Sequence, residues 1–353
     1  MKKQDYKVIG VMSGTSLDGI DLVYSHFTWD GQWNFSIKAA KTVAYTTAWQ
    51  EILGGLHNEA PDRIREVNSD YTELLAKVIN QFIVTHKLEQ IDGVCSHGHT
   101  VFHQPEKGIT FQLGNQEKLA KRLGLTVICD FRTQDVAFGG QGAPLVPIGD
   151  QLLFSKYEAC LNLGGFANAS LTQKGTLVAF DLCAVNTVLN FLAQKEGLEC
   201  DFGGGLAQKG RRIDPLFEAL EILDFYTKLP PKSLGIEWVN ATLFPLLKKY
   251  DTHPTEDVLH TYTLHIGKQI GACFDSQQKV LASGGGVMND YLMYQIRKHT
   301  AARIHIPSSD IINFKEALIF GLLGVLRLRG ENNCLASVTG ASQDHSSGKI
   351  FRG

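Results

Sequence analysis

Two distant stretches of the chain share one pattern: a strand-like run breaks at glycine and resumes as a second strand. The first is GVMSGTSLDGIDLVY, residues 10–24, where strands over about Lys7–Met12 and Ile20–Phe27 flank a polar loop from Met12 to Gly19. The second is EACLNLGGFANASLT, residues 158–172. A hairpin needs only a two-residue turn such as Asn-Gly or Gly-X. A loop of glycine, hydroxyl residues and aspartate is more than chain reversal demands, so something else is expected to sit on it. Each hairpin also opens a run of strands and helices, which reads as a duplicated α/β unit. A wholly parallel Rossmann sheet would not open on hairpins. Two similar α/β lobes around a cleft are expected.

The periodicity between the hairpins supports this reading. In IREVNSDYTELLAKVINQFIV, residues 64–84, the apolar side chains from Ile64 to Phe82 recur at helical spacing, so one helix face should pack on a sheet. A short strand IDGVCSHG, a helix opened by Asn115 in GNQEKLAKRLG and a strand LTVICDF follow. After the second hairpin come a strand TLVAFD, a helix from about Asn186, and a strand-glycine-helix unit, VLASGGGVMNDYLMYQIRKH. The polar ending SVTGASQDHSSGKIFRG reads as a terminal segment lying on the surface.

The length of 353 residues suits two domains at roughly 150 residues each. A net charge of −2 with no dense Lys/Arg block argues against nucleic acid as a partner. No stretch reaches the ~18 apolar residues of a membrane span. The opening MKKQDYKVIG lacks the apolar core and cleavage site of a signal peptide. Seven scattered cysteines, an odd number mostly inside apolar strings, read as buried thiols in a reducing cytoplasm.

Three glycine loops carry the chemistry: Gly14 to Gly19, Gly164 with Gly165, and Gly284 to Gly286. Glycine lets backbone amides approach an anion and line a nest for phosphate oxygens. Ser13, Thr15 and Ser16 add hydroxyl donors, and Asp18 and Asp21 are suited to Mg2+ held through water. The third loop precedes a helix, whose N-terminus favours an anion or a polar nucleoside. One glycine pair between strands is ordinarily a tight turn. Three such loops in this order point to a polyphosphate. Neither a Walker A loop nor a clean Rossmann fingerprint is present.

The blocks MSGTSLDGID, SHGHTVFH, DFRTQDVAFGGQGAPLVP, LNLGGFAN, PPKSLG, SGGGVMN and VTGA lie within a stretch from residue 8 to about 341. Together they resemble the anhydro-N-acetylmuramic acid kinase family, within the actin, hexokinase and Hsp70 superfamily. The resemblance implies an α/β, two-lobed actin-like (ribonuclease H-like) ATPase fold with an interlobe cleft. Its first lobe would hold residues 1–133 plus about 335–353, and its second residues 134–334, with the boundary near Phe131 to Val136. The implied activity uses ATP, Mg2+ and water to open the 1,6-anhydro ring of a peptidoglycan-derived sugar and phosphorylate O6, in the cytoplasm. The implied partners are that small anhydro amino sugar and ATP, with room for a homodimer.

By the same resemblance, Gly14, Thr15, Ser16, Leu17, Asp18, Gly19, Ile20, Asp21, Gly164, Gly165, Asn168, Gly284, Gly285 and Gly286 bind ATP, and Asp18 stands on the Mg2+ side through water. Asp181 is the base that activates water at the anomeric carbon. His97, Thr100, Asp130, Arg132, Asn186 and Glu316 are the sugar contacts, with Arg132 suited to the lactyl carboxylate. The family commonly reads Asp-Thr-Gly-Pro-Gly-Asn where this chain has Asp181-Leu-Cys-Ala-Val-Asn186. Leu182 or Val185 then stands to crowd the sugar or γ-phosphate, and the helix N-terminus is left to supply amides. Ile236 replaces a frequent arginine.

Two other readings compete. His97, His99 and His103 form a His-x-His-x-x-x-His run, and His99 with His103 would suit a metal-dependent transferase or hydrolase on the same fold. Their neighbours read as loop or strand, where positions i and i+4 lie ~13 Å apart, and the family usually has glutamine at position 99. A non-catalytic sugar or nucleotide sensor is the third reading, against which Asp181, Asp18 and the glycine loops are all retained.

Overall fold

A computed structural model describes residues 2–14, 16–230 and 232–353. Its strands form two sheets with the same plan. In the first, β1 (Asp5–Ser13), β2 (Gly19–Trp29) and β3 (Trp33–Ala44) are antiparallel neighbours. β4 (Gly93–Gln104) lies parallel on the other side of β1, and β6 (Val127–Cys129) parallel beside β4. β5 (Ile109–Leu113) pairs with the outer part of β4.

In the second sheet, β7 (Ala159–Leu163), β8 (Phe166–Gln173) and β9 (Thr176–Ala184) form the antiparallel triplet. β10 (Lys279–Ser283) and β11 (Arg303–His305) continue it in parallel from β7. With β5 set aside as an addition to β4, both sheets therefore read third-second-first-fourth-fifth, the ribonuclease H-like order, and the duplicated hairpins are the start of each. β12 (Lys349–Phe351) closes the first sheet against β6.

The chain divides into two compact α/β units. The first is everything up to Leu153 together with Phe314–Gly353, and the second is Phe154–Asn313. These bounds differ from the expected breaks at 133/134 and about 334/335. The helix Pro147–Leu153 packs on the helix Ser309–Arg329, where Gly149 has the Ile319 side chain against its Cα and the buried Lys315 lies 3.0 Å from Asp150.

In the first unit, alternation along β1 decides which helix covers which face. Ile9 and Val11 share a core with Ile64, Tyr71, Leu75 and Ile79 of the helix Pro61–Thr85. On the opposite face, Gly10 meets the helix Ser309–Arg329 so closely that a Cβ would lie 1.9 Å from the Ala317 carbonyl oxygen. In the second unit, the helices Asn186–Gln194, Thr255–Gly271 and Asp290–Lys298 share one core with β7 to β10. Gly267 and Gly271 allow the second of these helices to touch the third, backbone against backbone.

Three expectations change. β3 is a strand that the sequence reading passed over. The helix after β5 spans Glu117–Leu123 and is preceded by Gln116 as its N-cap residue, so Asn115 does not cap it. The C-terminal segment is anchored in the fold: Ser347 is fully buried and donates to the Phe131 carbonyl at 2.6 Å, and Arg327 donates to that of Gly348 at 2.7 Å. All seven cysteines are free, with five buried, Cys273 half-buried and Cys200 exposed.

Candidate active site

The β1–β2 turn carries the first glycine loop. Thr15 lies outside the described residues. Ser16 and Asp18 are exposed, and Leu17 takes a left-handed backbone (φ 61°) with its carbonyl accepting from Gln50 Nε2 at 3.2 Å. Gly19 is required by the sheet, because a Cβ would lie 2.5 Å from the Val43 carbonyl oxygen. Ile20 is buried with the core, so only its backbone is left for a ligand.

Ser13 is not the free hydroxyl expected of it. It is buried and tied to Tyr45 Oη at 2.6 Å and His99 Nδ1 at 3.1 Å, with Tyr45 in turn 2.7 Å from Tyr71 Oη. Asp21 faces Thr42 on β3 and accepts its hydroxyl at 2.5 Å. Burial raises the Asp21 carboxyl, Thr42 pulls it down, and the charge of Asp18 pushes it up again. Two repelling carboxylates beside a glycine turn fit a divalent cation.

Elsewhere in the same unit, β4 and the segment after β6 bring His97 against Arg132, and Glu316 on the helix Ser309–Arg329 acts electrostatically on Arg132. His97 Nδ1 faces the Gly98 carbonyl at 2.8 Å, so that nitrogen carries the proton and Nε2 accepts from Arg132 Nε at 2.9 Å. Burial holds this imidazole well below the ordinary histidine value, and Arg132 acts in the same direction. Arg132 Nη1 donates to Gly142 O at 2.6 Å, while no partner is recorded for Nη2 among the described residues. The protein packed around Glu316 raises its carboxyl, against the pull of Lys315 and Arg132, although the side chain keeps an exposed surface that weakens the effect. Thr100 pairs with Gln112 in the β4–β5 ladder. Asp130 takes a left-handed backbone (φ 59°) and spends one oxygen on Thr133 and the other on Lys349.

The second unit holds Asp181, which lies within β9 and is not a helix cap. A bulge pairs Ala167 with Cys183 and Asn168 with Asp181, leaving Leu182 unopposed. Asn162 on β7, Asn168 on β8 and Asp181 on β9 thus stand side by side on one face. Asp181 Oδ2 accepts from Leu234 N at 2.7 Å and Ser233 Oγ at 3.1 Å, and its own amide donates to Lys232 O at 2.9 Å. No partner is recorded for Oδ1 among the described residues. Burial raises this carboxyl, and the two hydrogen bonds hold it back. Ser233 and Leu234 escaped the sequence reading although they stand in PPKSLG, whose second proline, Pro231, is outside the described residues. Asn162 escaped it too, inside LNLGG.

The altered segment after Asp181 is resolved by burial. Leu182, Cys183, Ala184 and Val185 all join the core, so neither Leu182 nor Val185 projects toward a ligand. The amides at the start of the next helix are already used: Val185 and Thr187 donate to Gly165 O at 2.7 and 3.2 Å, and Asn186 to Gly164 O at 3.2 Å. That helix start therefore offers no free amides to a phosphate. Ile236 is exposed.

The glycines of the other two loops differ in purpose. A Cβ on Gly165 would lie 2.7 Å from Thr187 Oγ1. Gly284 has a φ of 84°, with Asn162 Oδ1 and the Leu163 carbonyl each 2.7 Å from where its Cβ would be. Gly286 abuts Leu163 and stands near Asn186 Oδ1, whereas Gly285 faces open space. Asn289 caps the helix that follows, accepting from Leu292 N at 2.9 Å.

His99 and His103 do not form a metal pair. They lie on strand β4, with His99 on Ser13 and His103 on Thr110 Oγ1 at 3.1 Å. Burial lowers His99 to about 4. No helix among the described residues is long and apolar enough to cross a membrane.

The sequence profile of the anhydro-N-acetylmuramic acid kinase family matches residues 6–353. Relatives named anhydro-N-acetylmuramic acid kinase include that of Mannheimia succiniciproducens, 33% identical with 99% of this chain and 100% of its own covered. That of Methylorubrum extorquens is 32% identical over 98% of each chain. That of Acinetobacter baylyi is 31% identical over 95% of this chain and 96% of its own.

Proposed function

The chain belongs to the anhydro-N-acetylmuramic acid kinase family, and from that premise we propose that Asp181 is the general base of its reaction. The protein is an ATP-dependent sugar kinase that hydrolytically opens 1,6-anhydro-N-acetylmuramic acid and phosphorylates O6, giving N-acetylmuramic acid 6-phosphate. Water adds to C1 as the C1–O6 bond breaks, and O6 accepts the γ-phosphoryl group while ADP leaves. The water proton needs an acceptor, and the transition state develops oxocarbenium character at C1.

The observation that carries the assignment is the asymmetry of the Asp181 carboxylate. Leu234 and Ser233 fix Oδ2 and so orient the group, while Oδ1 is left to accept a proton from water. Burial makes the carboxylate more basic than an ordinary aspartate. In this reading His97, Arg132 and Glu316 hold the sugar, and Arg132 Nη2 meets the lactyl carboxylate. Thr100 and Asn186 are further proposed sugar contacts, and Asp130 holds Lys349.

The loops at Gly14–Gly19, Gly164–Gly165 and Gly284–Gly286, with Asn168, are proposed to bind ATP. Asp18, through water, with Asp21 nearby, would hold Mg2+, which neutralises phosphate charge when bound. Use of ATP as co-substrate supports a cytoplasmic setting. Purified protein supplied with ATP, Mg2+ and the anhydro sugar should release ADP and the 6-phosphate in equal amounts. Release of ADP without phosphosugar, or no turnover, would overturn the reading.

A further inference from the structure

Beside Arg132, which donates to the Gly142 carbonyl while the Gly142 amide donates to Asp135, the first unit buries a cluster that the kinase reaction does not use. Asp135 on the helix Thr133–Ala137, Cys334 and His345 keep 0%, 2% and 4% of their surface, and one ligand-type atom from each lies within 4.8 Å of the others. Cys334 and His345 are held side by side by two backbone hydrogen bonds of 3.1 Å, N–H to carbonyl in both directions.

The protons of this cluster do not close on themselves. His345 Nδ1 lies 3.1 Å from the Gln343 carbonyl oxygen, which can only accept, so Nδ1 carries a proton. In the neutral ring Nε2 is then a bare lone pair. It is buried, has no hydrogen-bond partner, and points at Asp135 Oδ1 from 3.6 Å. A lone pair facing a carboxylate oxygen is repulsive unless a cation stands between them.

The surroundings match the outer shell of a metal site. An imidazole that ligates through one nitrogen usually donates its other N–H to a carbonyl, and ligating carboxylates are themselves hydrogen-bonded. Asp135 receives the Thr339 hydroxyl on Oδ1 and the Gly142 amide on Oδ2, both at 2.7 Å. We propose that Asp135, Cys334 and His345 form a structural site for a divalent transition ion, best suited to zinc. Thiolate, carboxylate and neutral imidazole together carry two negative charges, which such an ion cancels. Binding exchanges the Cys334 S–H bond for an S–metal bond and releases the proton to solvent, so affinity rises with pH. The ion would staple the C-terminal segment to the helix that follows Arg132.

The test uses full-length protein prepared without a histidine tag. Cobalt(II) titration should give an intense thiolate-to-metal absorption in the near ultraviolet that saturates at one equivalent. Cys334→Ser should abolish it, and Cys200→Ser, at the exposed cysteine, should leave it intact. Zinc should displace the cobalt and raise the thermal midpoint of wild-type protein by several degrees, with no rise in His345→Gln. Absence of the band in wild type, its persistence in Cys334→Ser, or an unchanged wild-type midpoint with zinc would each overturn the site. A doubly protonated His345 paired with Asp135 predicts those negative results. If the variants do not fold, the wild-type and Cys200→Ser titrations still decide the question.

Discussion

A carboxylate held by one oxygen has its direction fixed by the protein and its basicity set by two opposed effects. For Asp181, burial disfavours the charge, while the Leu234 amide and the Ser233 hydroxyl favour it. Asp181→Asn keeps both acceptor geometry and shape but cannot take a proton. Its turnover should fall by about 10²- to 10⁴-fold, the usual worth of a general base, while calorimetry returns an unchanged ADP affinity. Retained turnover would remove Asp181 from the role. Ser233→Ala makes a separate prediction with a definite sign. Losing a hydrogen bond to the charged form raises the Asp181 pKa further, so the acid limb of kcat/KM moves to higher pH. If the limb stays where it was, another group is titrating. The aspartate itself was legible in the sequence, but its clamp was not, since Ser233 and Leu234 stand 52 and 53 residues away.

At the scale of elements, adjacent glycines that look alike have different physical reasons. Gly284 needs its positive φ and has backbone and side-chain atoms where a Cβ would go. Gly284→Ala should therefore cost about 1–3 kcal/mol in a denaturant melt. Gly285 has nothing within 4 Å of that position. Gly285→Ala should leave stability within about 0.5 kcal/mol, yet raise the KM for ATP several-fold, because the proposed nucleotide contact is to the bare backbone there. A stable variant with unchanged KM would take Gly285 out of the nucleotide loop. The letters GGG could announce a tight turn, but could not separate the glycines that the fold demands from the one it does not. The same limit applies to DLCAVN. Its apolar side chains looked like intruders in a site because the reading lacked the bulge at Leu182 and the core behind it.

At the scale of the molecule, the duplicated hairpins were legible because glycine breaks and strand periodicity are local. β3 was not, because WNFSIKAAKTVA is mostly half-exposed or exposed and lacks a clean alternation. The C-terminal segment was misread for the opposite reason: its polar residues satisfy buried backbone. Asn333 Nδ2 bridges the carbonyls of Leu323 and Ser347 at 2.9 Å each, Ser347 binds Phe131, and β12 then pairs with β6. Removing residues 335–353 leaves the β6 edge, the Phe131 carbonyl and Asn333 Oδ1 without partners, at about 1–3 kcal/mol for each group that stays buried. Hydrogen exchange on such a truncation should show faster exchange in β4, β6 and the helix Ser309–Arg329. The β7–β10 strands belong to the other compact unit and should keep their protection. A tail merely resting on the surface would leave all of these rates unchanged. Uniform acceleration in both sheets would instead mean that the two units unfold as one cooperative body.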